Sequence, residues 1–480
     1  MPRIEGIIAL LIQILTVIPS IWLAFVVIWG LSRRKKTYPH ADRQARFAVV
    51  ICARNEEAVI DKLLTSLSQQ KYPQDKLRIF VLADHCTDHT AQIASGFDRV
   101  IVMERNEGPT RGKGDVLAWG IRRIMKEYGD DIDSFAFFDA DNIVREDYLI
   151  HINDMLQSGE EIVQGNRLGG GPYKTFVTKW FAIYWMLYSF LFSYPRQKMG
   201  LSAFLTGTGF AVKKEVLSAG WRTSSITEDV EFSVQQCLAG RRVAFCLDAV
   251  CFDEQPSEVR VLFRQLIRWC TGSYQILRRY IGAWMHALKI SSEDPYRRRT
   301  TDNLMLLLLG PANFVAFFAN LVMIPLTLWY FPGLALLGLA LILAGTEVVL
   351  FCMIRFFYHQ ELRPFMPALL FMPVFFFFYS ICSVIALVHP VRSWKRIDHE
   401  GIAAPQESKA LPPAGSRKAI ASREDKEEVP YKMTELLVRE GENDRLNRAA
   451  GAEGVEGRTM SGVKNSHETE ACKMQEERQA

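Results

Sequence analysis

Three short acidic stretches carry most of the chemistry this chain can do. In "FFDADN" Asp139 and Asp141 stand two residues apart behind the apolar Phe137 and Phe138. Two carboxylates closing a buried strand attract a hard divalent cation, and Mg2+ is usually held by one or two carboxylates plus phosphate oxygens. A surface turn with accidental acids is the plainer alternative, and the apolar run ahead of the pair argues against it. In "SSITEDVEF" Glu228 and Asp229 open a helical stretch, where the helix dipole favours ionised carboxylates. In "VLADHCTDHT" Asp84 ends an apolar run, and an aspartate there can accept a hydrogen bond from a base or a ribose. His85 and His89 in that stretch suggest a metal site, but zinc needs three or four ligands and no further cluster accompanies them. They read as turn residues, with Thr87 or Asp88 free to cap the helix that follows. Gly207 and Gly209 in "FLTGTGF" permit unusual backbone angles and a close approach by a ligand.

The elements that must position these residues alternate between strand and helix. "FAVVICA" (47–53), "LRIFVLAD" (77–84), "RVIVME" (99–104) and "SFAFFDAD" (134–141) are short, bare apolar runs of the kind buried on both faces of a sheet. Between them "AVIDKLLTSLSQ" (58–69), "HTAQIAS" (89–95) and "KGDVLAWGIRRIMKEY" (113–128) have helical spacing. This alternation predicts an α/β domain with a mostly parallel sheet, whose ligands bind beyond the carboxyl ends of the strands. "FRQLIRWCTGSYQILRRY" (263–280) is a basic-aromatic amphipathic helix that would lie on a membrane surface. The aromatic-rich stretch 173–205 is short for a span and reads as a helix of the same domain, its aromatics used for packing.

On either side of that domain the apolar residues cluster. Residues 7–31 can cross a bilayer, which takes roughly 20 apolar residues, and "RRKK" (33–36) directly behind them marks an anchor facing the cytoplasm. Residues 304–331, 334–354 and 365–388 are three further candidate spans. Three crossings would put "RSWKR" (392–396) outside, against the positive-inside rule, so one of them is expected to be re-entrant or interfacial. The expected division is a 1–36 anchor, a cytoplasmic domain at 37–290, a membrane region at 300–392 and a tail at 400–480. That tail is too poor in apolar residues to fold alone, although 429–450 could form a transient helix. A net charge of +4 gives no case for nucleic acid, and nine scattered cysteines without C-x-x-C pairs point to a reducing compartment.

Taken in order, the motifs resemble the membrane-integrated family 2 glycosyltransferases, inverting enzymes of GT-A fold that include cellulose, chitin, hyaluronan and poly-N-acetylglucosamine synthases. The matching pieces are "ARNEE" (53–57), "ADHCTD" (83–88), "GKG" (112–114), "DAD" (139–141), "TGTG" (206–209), "TED" (227–229) and the Q-x-x-R-W of "QLIRW" (265–269). The resemblance implies an α/β GT-A, Rossmann-like nucleotide-diphospho-sugar transferase domain with transmembrane helices, placed at the cell membrane with its catalytic domain in the cytoplasm. It assigns Glu56 and Asp84 to the uridine of a UDP-sugar, with Lys113 and Asp139 at the nucleotide. Asp139 and Asp141 would hold Mg2+ or Mn2+ at the diphosphate, Asp141 favoured as the direct ligand. Asp229 would be the general base, and Gln265, Arg268 and Trp269, together with Gly207, Gly209 and Glu228, would serve the diphosphate and the acceptor. The chain departs from many relatives in having Ala83 where they have an aspartate, and its membrane part is smaller than in synthases that build a secretion channel.

The reading is therefore sugar transfer from a UDP-sugar to a growing polysaccharide at the cytoplasmic face, with addition of one sugar to a lipid as the alternative. Q-x-x-R-W favours elongation, whereas the small membrane part favours the lipid. A nucleotide-binding scaffold would need no base, and a transporter would need more intramembrane charge than Glu347 and Arg355 provide. The donor sugar, the linkage and any partner subunit stay open.

Overall fold

The strand β1 (Phe47–Ala53) sends alternate side chains into two cores. Phe47, Val49 and Ile51 join one cluster, and Ala48 and Val50 join another on the opposite face. A strand buried on both faces needs no polar alternation, which is why its sequence is a bare apolar run. The computed structural model describes residues 4–109, 112–289, 294–391 and 402, so the expected tail at 400–480, apart from Ile402, and "RSWKR" lie outside the described residues.

Along the chain, α1 (Ile4–Ser32) precedes β1, then come α2 (Ile60–Ser68), β2 (Leu77–Asp84), α3 (Thr90–Ser95), β3 (Val100–Arg105), α4 (Lys113–Tyr128), β4 (Ser134–Asp139) and β5 (Ile143–Val144). The second half of the domain holds α5 (Tyr148–Gln157), β6 (Ile162–Gly169), α6 (Phe176–Tyr188), α7 (Tyr194–Met199), β7 (Phe210–Lys213), α8 (Glu228–Leu238), β8 (Val243–Asp253) and α9 (Val259–Ala287). Four more helices follow: α10 (Pro295–Tyr330), α11 (Pro332–Cys352), α12 (Met366–Leu370) and α13 (Met372–Val388).

Among the described residues the sheet runs β3-β2-β1-β4-β7-β6-β8-β5. The half β3-β2-β1-β4 is parallel, as expected. The rest is mixed: β7 is antiparallel to both β4 and β6, and β5 is antiparallel to β8, while β6 and β8 are parallel, so the sheet as a whole is mostly parallel with two reversed strands. The sheet is mixed because "TGTG" turns the chain at the carboxyl end of β4, where the Gly209 N–H donates to Phe137 O at 2.9 Å, so β7 has to run back. Gly207 (φ +86°) and Gly209 (φ +60°) make that turn. One edge of the sheet thus gathers the ends of β2, β4, β6 and β8 and the start of β7.

The flanking helices pack on one another as well as on this domain. A Cβ on Gly30 would lie 2.5 Å from Pro195 Cβ, so α1 and α7 cross in close contact. Arg196 (α7) and Asp302 (α10) form an ion pair at 2.8 Å with both side chains fully buried, and Trp22 Nε1 (α1) donates to the same Asp302 at 2.9 Å. Trp180, Phe181 and Ile183 of α6 share a cluster with Leu350, Met353 and Phe375, so most aromatics of 173–205 pack as expected.

Two helices, Pro295–Ala319 and Pro332–Phe357, are long and apolar enough to cross a membrane, while Val17–Ser32 and Met372–Val388 are shorter apolar helices. The expected span 365–388 is divided because Pro373 cannot continue a helix from the residues before it, leaving α12 and a separate α13.

Candidate active site

Most of the sequence-predicted residues meet at the carboxyl edge of the sheet. Asp139 is the last residue of β4 and Asp141 sits in the turn beyond it. Asp139 pairs with Lys113 Nζ, which also donates to Gly207 O at 2.7 Å. Lys113 is the first residue of α4, so one ammonium ties three of the expected motifs together. Burial works against its charge, yet Asp139 and neighbouring anions hold its pKa above the usual lysine range. The Asp139 N–H donates to Thr208 Oγ1 at 2.9 Å.

Glu228 and Asp229 begin α8 behind the N-cap residue Thr227. The helix dipole was expected to favour their ionised forms, and the balance goes the other way. Burial pushes Glu228 up to about 7, helped by the Asp229 charge beside it, and burial also raises Asp229. Lys113 and Arg268 pull both back down without reversing the shift. The pair therefore titrates as a unit, holding a proton where one isolated carboxylate would not. A methyl at Gly207 would lie 3.4 Å from Asp229 Oδ2 and 3.9 Å from Arg167 Nη1, which puts the TED aspartate and the "TGTG" turn side by side.

Gln265, Arg268 and Trp269 lie on α9 and line the same cavity. Arg268 Nη1 donates to Ile226 O at 3.4 Å, just ahead of the TED residues. The Trp269 indole stacks on Tyr184 at 5.8 Å and meets Trp185 edge-on at 5.5 Å. One face is thus already engaged, and Tyr184, Trp185 and Tyr188 join it on the cavity wall rather than serving only as packing.

Asp84 ends β2, and its carboxylate is buried between two arginines. Arg54 Nη2 approaches Oδ2 at 3.0 Å and Arg105 Nη1 approaches Oδ1 at 2.6 Å. His85, at φ +50°, is in the turn as expected and its Nδ1 lies 2.9 Å from Asp84 Oδ1. His89 Nδ1 faces Glu57 Oε2 at 3.0 Å instead, so the two histidines serve different carboxylates. Asp88 Oδ1 accepts the Thr90 N–H at 3.1 Å. Glu56 sits at the mouth of the turn after β1 and donates its backbone N–H to Thr90 Oγ1 at 2.8 Å.

Sequence reasoning missed Arg167 (β6) and Asp253, the last residue of β8. Arg167 pairs through Nε with Asp253 Oδ2 at 2.9 Å, donates to Thr206 O, and lies 4.1 Å from the Trp185 ring centroid. Asp253 also accepts from Asn142 Nδ2 at 3.1 Å, and Asn142 donates to Asp141 at 3.2 Å. The signal was available in "VCFDEQ", an acid closing a buried run just as in "FFDAD".

The sequence-predicted site residues other than Gly209, together with Arg167 and Asp253, line one cavity of about 1210 Å3. Its polar end holds Asp84, Lys113, Asp139, Asp141, Arg167 and Asp229, and its wall continues onto α1, α10 and α11. Among the described residues no three histidines, cysteines or acids gather as an all-protein metal cage. Asp139 and Asp141 still fit a cation that takes its remaining ligands from a diphosphate, as Mg2+ commonly does.

Residues 45–272 match the family model described as "Glycosyltransferase like family 2". That segment thus resembles a glycosyltransferase family 2 domain, and its fold is GT-A-like. The chain is 28% identical over 269 residues to the β-monoglucosyldiacylglycerol synthase of Nostoc sp., covering 54% of this chain and 54% of the relative. It is 24% identical over 273 residues to the poly-β-1,6-N-acetyl-D-glucosamine synthase of Staphylococcus aureus, covering 55% and 63%. The chain thus spans between half and two thirds of the length of these relatives. The mannosyltransferase PcManGT from Pyrobaculum calidifontis, solved with GDP-Man and Mn2+, superposes with a TM-score of 0.53 at 18% identity, over 80% of this chain and 98% of that one. At that identity the likeness concerns the fold.

Proposed function

We propose that this chain is a membrane-bound inverting glycosyltransferase that moves a sugar from a UDP-sugar to an acceptor hydroxyl at the cytoplasmic face. The observation that carries the reading is the convergence of Asp139, Asp141, Lys113, Arg268 and the Glu228–Asp229 pair in one cavity at the carboxyl edge of the sheet. Glu56 and Asp84 take the uridine, the two arginines beside Asp84 fixing its carboxylate while its remaining lone pairs accept from the base or ribose. Asp139 and Asp141 would hold Mg2+ or Mn2+ beside the diphosphate. When bound, the cation neutralises charge that builds on the leaving phosphate.

The chain's own residues do the rest. Lys113 and Arg268 set positive charge beside the departing diphosphate, where stabilisation of developing charge is worth most. Gly207 leaves room for the sugar next to Asp229. Asp229 accepts the proton of the acceptor hydroxyl, whose oxygen forms a bond to the anomeric carbon as the bond to the phosphate oxygen breaks and UDP leaves. Attack from the face opposite the leaving group inverts the anomeric centre. Gln265 and Trp269 hold the acceptor. The Q-x-x-R-W spacing supports a growing glycan in that place. The apolar continuation of the cavity favours the second reading, one sugar added to a lipid.

The test is UDP release by the detergent-solubilised protein with a panel of UDP-sugars and Mg2+ or Mn2+, with mass analysis of the product. One donor should be turned over, and Asp229→Asn should bind UDP normally while losing transfer by at least about a hundredfold. Normal transfer by Asp229→Asn would remove the base assignment.

A further inference from the structure

The active-site cavity is larger than most ligand pockets. Ligand pockets commonly hold roughly 300–1,000 Å3, and this one measures about 1210 Å3. The extra space is of one chemical kind. It runs from the carboxylates onto a face of α1 that includes Ala24, Val27 and Ile28, then onto Leu306 and Gly310 of α10 and Val349 of α11. The α1 positions lining it recur at helical spacing, so they form a stripe along the helix. Ile28 is 71% exposed, while Val26 and Gly30 of the same helix are turned into packing. Among the described residues, α1, α10 and α11 put no carboxylate, ammonium or guanidinium on this wall.

We propose that this apolar arm holds the hydrocarbon chain of a lipid acceptor, whose hydroxyl is thereby brought to Asp229. The inference rests on the transferase reading and names the acceptor class for it. A glycan lying along the arm would leave hydroxyl after hydroxyl without a partner, which is costly in an apolar surrounding. A methylene chain asks for no partner there and is taken out of water. The outer face of α11 carries exposed Leu334, Leu337, Leu341 and Ile342, an apolar surface on the same helix that contributes Val349 to the arm. Only the hydroxyl end then meets the charged part of the site, which suits the transfer of a single sugar.

The experiment uses the full chain in phosphatidylcholine nanodiscs with the UDP-sugar it turns over. Acceptors are n-alkanols and n-alkyl glycosides of increasing chain length, set against short water-soluble oligosaccharides. The acceptor KM should fall by about fourfold for each added methylene until the arm is full. Ala24→Trp and Gly310→Trp, which narrow the arm, should raise KM for the long acceptors at least tenfold. Their UDP affinity and their slow hydrolysis of donor without acceptor should stay unchanged. A KM independent of chain length, or oligosaccharides elongated as efficiently as alkyl acceptors, would overturn the proposal while leaving the transferase intact. Absence of any Asp229-dependent donor turnover would sink the transferase reading itself, and the lipid arm with it.

Discussion

At the scale of single residues, the site depends on how unlike charges are crowded behind a common wall. Glu228 and Asp229 share burial and a like charge, and Glu228 is pushed up to about 7. If Asp229 is the base, it ionises while Glu228 still holds its proton and becomes a stronger base as Glu228 ionises beside it, so kcat/KM should rise through a step near 7. In Glu228→Gln that step should be absent, while the limb set by Asp229 itself remains. A pH–rate profile that keeps the step near 7 in Glu228→Gln would show that another group controls it. Arg167 gives a second prediction, because its fork engages Asp253 and Thr206 O while its face lies on Trp185. A lysine has neither the fork nor the flat face. Arg167→Lys should therefore lower kcat by roughly a hundredfold through misplacement, with UDP affinity within about twofold of the parent. A large loss of UDP affinity instead would place Arg167 at the donor.

Among secondary-structure elements, the strands β1 to β4 were legible and the reversed strands β5 and β7 were not. The runs 47–53 and 77–84 are strands with those bounds, since a strand buried on both faces leaves a bare apolar run in the sequence. β7 is only four residues long and pairs antiparallel through a turn whose glycines look, in the sequence, like any flexible loop. Arg167 and Asp253 were hidden for a related reason, because strands far apart in the chain bring them together. Packing of α9 on α8 is a further case. A Cβ on Gly272 would lie 2.1 Å from Thr227 Oγ1, so the glycine lets α9 touch the residue that begins the TED helix. Gly272→Ala should displace that helix start and cut kcat by about tenfold to a hundredfold, leaving thermal stability in detergent little changed if α8 can shift. The Arg196–Asp302 pair joins α7 to α10 with both side chains fully buried. Asp302→Ala should cost about 3–5 kcal/mol, because an unpaired guanidinium stays buried. The double variant Arg196→Met/Asp302→Leu should recover much of that loss in thermal unfolding, and a double variant as unstable as the single one would refute the account.

For the whole molecule, the open question is how the helices beyond the catalytic domain meet a membrane. Residues 332–357 and 295–319 are each long and apolar enough to cross, and 332–357 exposes a run of leucines, including Leu334, Leu337 and Leu341, that suits contact with lipid. The segment that ends the described chain differs: Pro373 splits it, and α13 is 17 residues long. At 1.5 Å per residue that is about 26 Å, less than a hydrocarbon core of about 30 Å. If 295–319 and 332–357 both cross and α13 does not, the chain would return to the side on which the α/β domain lies. The full chain should accordingly stay in the membrane pellet through alkaline carbonate and leave it only in detergent. A cysteine at the exposed His389 should take up an impermeant maleimide in inverted vesicles and not in intact cells, judged by the label it adds to the parent chain. Labelling from outside would mean that α12 and α13 together complete a third crossing. Release by carbonate alone would mean that the apolar faces are covered by something other than lipid.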